Sequence, residues 1–142
     1  MKKMLTLIFA ISCLGLVNPS IGAEPSQRNF CEGNGINYSE ATQFVSKIYT
    51  LIQNEDAEAL SDYMTYPLTV NQDGHKPRLL KTREQFIDEY DELFTEATLR
   101  TFENSGQELF CNSQGASFGN GTLWFRTQGG SKIFVINVAA SD

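Results

Sequence analysis

The sequence predicts an α+β domain, with helices first, a hairpin and a further helix in the middle, and antiparallel strands at the end. Three observations carry this. Apolar residues recur at helical spacing over residues 44–52 and again over 86–94. A helix-start signal, Thr82-Arg83-Glu84-Gln85, stands between the two. After about residue 98 the period falls to two, and Gly115, Gly119, Gly121, Gly129 and Gly130 punctuate the apolar runs.

Residues 24–37 are polar and turn-rich, so an extended arm is expected there, held at Cys31. The first helix follows, with Ser39 as N-cap and Glu40 in the first turn. Phe44, Ile48, Leu51 and Ile52 form its apolar stripe, which Val45 and Tyr49 widen. Gln53-Asn54-Glu55 breaks the chain, and a short helix over 56–63 carries Ala57, Leu60 and Met64 inward. Tyr66 to Val70 alternates as a strand, with Pro67 near its start, where a missing N–H is tolerated. Asp73-Gly74 turns the chain, and Arg78 to Lys81 forms a short return strand.

Thr82 then caps a helix that presents Phe86, Ile87, Tyr90, Leu93 and Phe94 on one face. Asp88, Glu89, Asp91 and Glu92 occupy the other, and Glu96 prolongs the acidic character. Leu99 and Phe102 fit either a strand or a continuation of the helix. Glu108 to Cys111 reads as a strand, and Gly115 to Arg126 as a hairpin with Asn120-Gly121 at its tip. Lys132 to Val138 is an apolar final strand. This order places helices on one face of a curved, mainly antiparallel sheet.

Residues 1–23 have the layout of a Sec signal peptide. Lys2 and Lys3 precede an apolar stretch from Met4 to Val17, then Asn18-Pro19 and small residues up to Ala23, after which cleavage is expected. The stretch falls short of the roughly 20 residues a membrane span needs. Cys13, after Ala10-Ile11-Ser12, loosely resembles a lipoprotein site, but the apolar run continues past it through Leu14, Leu16 and Val17. The expected organisation is therefore a leader (1–23), an arm (24–37) and one domain (38–142), exported to the periplasm or beyond.

Without Lys2 and Lys3, nine basic residues face 17 acidic ones, a net charge of about −8. No basic cluster exists to neutralise phosphates, which argues against nucleic acid and anionic membranes. An acidic surface suits a basic protein partner, a cationic small molecule, or simple solubility. Cys31 and Cys111 form an even pair, and in an exported chain such a pair reads as a disulfide. The alternative, a catalytic thiol, needs a nearby base, and the only histidine is His75 in a polar turn.

The run from Tyr66-Pro67-Leu68-Thr69-Val70 through Thr82 to Phe94, then Gln114-Gly115 and Gly119-Asn120-Gly121-Thr122-Leu123-Trp124-Phe125, resembles small exported bacterial proteins of the NTF2-like superfamily. The resemblance covers roughly residues 38 to 138 and implies a cone-shaped, cystatin-like α+β fold. That superfamily includes isomerases, dehydratases, cyclases, ligand-binding domains, transport adaptors and immunity proteins, so the fold leaves the function open. Its enzymes use an acidic or histidine base with a tyrosine or protonated carboxyl inside the cone. No motif here matches them residue by residue, and no catalytic residue is carried over.

Two constellations are candidates for binding. Tyr63, Tyr66, Tyr90 and Trp124 each join an apolar body to one polar group, the combination found around small-molecule pockets, although the same spacing also suits core positions. Asp88, Glu89, Asp91 and Glu92 form an acidic face for docking a basic protein, or a merely solvated one. Helical carboxylates do not converge as hard-cation sites require, and one histidine cannot build a multi-histidine site, so neither metal nor cofactor is expected. Gly115, Gly119 and Gly121 lack the Walker spacing and its Lys-Ser/Thr.

Two function classes follow. One is a non-catalytic protein-interaction module of inhibitor or immunity type. The other is a small-molecule binder, or a cryptic isomerase- or hydrolase-like enzyme, with an aromatic pocket for a small apolar ligand. A homodimer packed through the sheet faces is a third possibility.

Overall fold

The computed structural model of the protein describes residues 25–140. The expected leader, its cleavage point at Ala23 and Cys13 lie outside the described residues. Six helices precede and separate six strands: α1 (Pro25–Gly33), α2 (Tyr38–Gln53), α3 (Ala57–Ser61), β1 (Met64–Gln72), β2 (Arg78–Leu80), α4 (Arg83–Asp88), α5 (Tyr90–Leu93), α6 (Glu96–Ser105), β3 (Phe110–Asn112), β4 (Gly115–Phe118), β5 (Leu123–Arg126) and β6 (Lys132–Val138). The α+β class is as expected. The sheet is open and mixed, in the order β2-β1-β6-β5-β4-β3. Its β1–β6 pair is parallel and the other four pairs are antiparallel.

The arm over residues 24–37 is not extended: Pro25–Gly33 is a helix. Pro25 opens it at a position whose N–H has no intrahelical acceptor in any case, so the proline favours the helix start. Cys31 does hold this segment, through a disulfide to Cys111 on β3 with a Cα–Cα distance of 5.2 Å. Both cysteines are buried. The bridge is consistent with an oxidising, extracellular compartment.

Asn37 rather than Ser39 caps α2, accepting from the Glu40 N–H at 3.0 Å. Thr82 caps α4 as the sequence predicts, accepting from the Gln85 N–H, while Gln85 Oε1 accepts from the N–H of Lys81. That helix does not run unbroken to Phe94. It stops at Asp88, restarts as the single turn of α5, and gives way to α6, which Thr95 caps by accepting from the Thr98 N–H. Leu99 and Phe102 thus lie on a helix. The hairpin at Asn120-Gly121 forms as expected, with both residues at positive φ (52° and 82°).

Strand alternation assigns the two sheet faces. Leu68, Val70, Ala116, Phe118, Leu123, Phe125, Ile133 and Ile136 point into the core against the helices. One row of paired residues crosses all six strands on the other face: Leu79, Thr69, Val135, Trp124, Ser117 and Phe110. Its two ends are exposed, Leu79 at 55% and Phe110 at 56%.

Candidate functional site

A series of aromatic rings packs between the helices and the sheet. Tyr90 stacks on Phe94 (centroids 4.7 Å apart), with the Phe86 ring edge-on to both. The chain of contacts continues through Phe94–Phe102, Phe102–Phe118 and Phe118–Phe125, then Phe125–Phe44 at 4.8 Å and Phe44–Tyr63 at 5.9 Å. Edge-on and offset rings at such distances add attraction beyond the area they bury.

The four aromatic candidates do not share one pocket. Tyr90 is buried within the ring series. Trp124 is on the opposite face of the sheet, edge-on to Phe110. Tyr63 ends the ring series, where the ammonium groups of Lys47 and Lys132 lie 4.7 and 5.9 Å from its centroid. Tyr66 is half-buried and donates to the Ser61 carbonyl at 3.2 Å.

Burial pushes the Tyr66 hydroxyl up to about 12, against the pull of the Arg83 guanidinium and with help from the carboxylates of Asp62 and Glu84. Burial also pushes the Tyr90 hydroxyl up to about 12, and the charges of Glu55, Asp91 and Asp56 add to the effect. The Tyr90 hydroxyl is buried with no hydrogen-bond partner among the described residues. Both phenols are therefore held in their neutral form, which suits a structural role better than that of a base.

The acidic candidates fall on three elements. Asp88 ends α4, Glu89 is the residue between α4 and α5, and Asp91 and Glu92 belong to α5. Asp88, Asp91 and Glu92 are exposed, whereas Glu89 pairs with Arg78. Nearby, Arg83 bonds Asp62 (3.1 Å) and the Glu58 carbonyl (3.1 Å), joining α4 to α3. Glu84, in the first turn of α4, is held below the usual carboxylate range by its own backbone N–H and by the Thr82 hydroxyl. None of the six strands contains an aspartate or glutamate, so every carboxylate of the described residues lies on helices and loops. His75 is exposed in the β1–β2 turn. Among the described residues no group of three or more His, Cys, Asp or Glu is placed to hold a metal ion, and no helix is long and apolar enough to cross a membrane.

A cleft of about 440 Å³ opens where β3 and β4 meet the hairpin tip and the end of α6. Its polar lining is Gln27 from α1, Ser105 from α6, Glu108 from the following loop, Ser117 from β4 and Asn120 from the tip; Phe110 contributes an apolar wall. The sequence offered no signal for this site, because its residues come from separate segments that only the sheet order and the disulfide bring together. None of the eight residues singled out from the sequence lines it. Compared with known proteins, the chain matches no family model, no curated protein and no solved structure.

Proposed function

We propose that this chain is an exported, non-catalytic binding domain of NTF2-like type whose partner is a protein, in the manner of an inhibitor or immunity module. One observation carries the reading. The region between helices and sheet, where a domain of this architecture would keep an internal ligand, holds the ring series from Phe86 to Tyr63. Recognition then belongs to the surface, where large apolar side chains (Phe30, Leu79 and Phe110) and carboxylates carried by helices and loops are available. A net charge of about −8 favours a basic partner and speeds encounter with it.

Affinity capture from exported proteins with the disulfide-bonded domain, paired with a metabolite screen by thermal shift, tests this. The expected result is a basic protein retained at low salt, released at high salt, and bound reversibly after purification. A small metabolite that binds saturably, with no protein retained, overturns it.

A further inference from the structure

The cleft beside β3 has a second hollow next to it, of about 300 Å³, which shares Ser105, Glu108 and Asn120 and adds Thr101 and Asn104. Glu108 therefore stands on the wall common to both. It is the one charged residue in either lining, and no lysine or arginine accompanies it.

The other polar groups are rich in acceptors. Gln27 donates one amide N–H to the Leu109 carbonyl, which leaves its Oε1 as an acceptor beside one remaining N–H. Asn104 and Asn120 each bring another amide oxygen, and Ser105 and Thr101 bring hydroxyls. Ser117 is 1% exposed, and its hydroxyl has no partner among the described residues, although a buried hydroxyl left unpaired is costly. Helix α6 also ends at Ser105, placing the negative end of its dipole at the cleft.

Phe110 completes the lining. Two other rings lie under the chain's own cations, Phe134 under Arg126 (4.2 Å) and the buried Tyr38 under Arg28 (5.3 Å). Phe110 is exposed and receives no cation among the described residues. A negative charge, a ring, several scattered acceptors and an unpaired hydroxyl together match a guanidinium, which stacks on rings and presents five donors in one plane. An ammonium, with three donors on a single atom, matches fewer of them.

We propose that this cleft takes an arginine side chain of a protein partner, with Glu108 as its counter-charge, Phe110 as its stacking surface and the second hollow receiving the neighbouring backbone. The assignment rests on the protein-partner reading above and gives that reading a specific contact.

The test is an NMR titration of the disulfide-bonded domain with three capped tripeptides of glycine-X-glycine, where X is arginine, lysine or citrulline. The arginine peptide should give saturable shifts at Gln27, Ser105, Glu108 and Ser117 that weaken with salt. Lysine should bind several-fold more weakly, and citrulline, the neutral isostere, should leave these signals in place. Glu108→Gln should lower arginine-peptide affinity about tenfold while keeping the melting temperature, because Glu108 is exposed. Shifts confined to Asp88, Asp91 and Glu92 would overturn the cleft assignment and leave the basic-partner reading standing. Unmoved cleft signals at millimolar peptide, or unchanged affinity in Glu108→Gln, would also overturn it.

Discussion

Gly119, at the start of the β4–β5 turn, lies directly against the ring of Phe102 on α6: a methyl group on its Cα would stand 2.2 Å from Phe102 Cε1. The same residue has φ +62°, a conformation that costs a side-chain-bearing residue roughly 1–2 kcal/mol. The contact ties the hairpin to the helix that ends at the cleft.

Gly119→Ala should therefore be destabilising by about 2–5 kcal/mol, the sum of a left-handed backbone and an overpacked ring. Gly121 is the control. Its φ is +82°, but a methyl group on its Cα would meet nothing within 4 Å, so Gly121→Ala should cost only about 1 kcal/mol. Urea denaturation of both variants measures the difference, and equal losses would show that the Phe102 contact carries no energy.

Cys31→Ser opens a bridge between residues 80 apart in sequence. Chain entropy alone assigns such a cross-link about 4 kcal/mol. The variant should lose a few kcal/mol in unfolding free energy, and α1 should be the first segment to exchange its amide hydrogens. A melting temperature equal to wild type under non-reducing conditions would contradict the bridge.

Phe102 and Tyr90 belong to one ring series and should respond in opposite ways. Phe102→Ala removes the ring between Phe94 and Phe118 and should cost about 3–5 kcal/mol. Tyr90→Phe removes only a buried hydroxyl that lacks a partner among the described residues, and should leave stability unchanged or raise it by about 1 kcal/mol. Thermal unfolding of the two variants gives the comparison.

Alkaline pH should act through Tyr66 and Tyr90. Their folded-state values are raised from 10.0 to about 12, so in the folded state they hold their protons where the unfolded chain has released them. Their contribution is complete below the unfolded value and declines as pH rises from there through the folded one. The double variant Tyr66→Phe/Tyr90→Phe should show a flatter stability profile over that window, measured by denaturant titration at stepped pH.

Asp88, Asp91 and Glu92 are exposed, and replacing each by its amide should change stability by no more than about 0.5 kcal/mol. Glu89→Gln also breaks the pair with Arg78 and should cost up to about 1 kcal/mol. The fourfold variant should keep its fold while losing affinity for a basic partner that docks on this side. Unaltered affinity would remove these carboxylates from the interface.

Local patterns announced most of the elements. The helical stripe of Phe44, Ile48 and Ile52, the Thr82 cap, the Asn120-Gly121 tip and the apolar run of β6 each depend on residues a few positions apart, so their signals are complete within a short window. Misreadings arose where short-range signals competed. Polar composition over residues 24–37 outweighed Pro25 as a helix opener. A single apolar face from Phe86 to Phe94 concealed the break at Glu89 and the new cap at Thr95.

By itself the sequence determined the α+β class, the acidic charge, the hairpin tip and the even cysteine pair, because each follows from composition or near-neighbour spacing. Only the tertiary structure decided which faces meet. The register that pairs Trp124 with Val135 and Ser117 sends Trp124 to one face of the sheet, while Tyr90 packs under the other, so aromatic residues that look equivalent along the chain are separated by the sheet. The cleft arises in the same way. Gln27, Ser105, Glu108, Ser117 and Asn120 meet through the Cys31–Cys111 bridge, the end of α6 and the strand order, long-range contacts that no local period encodes.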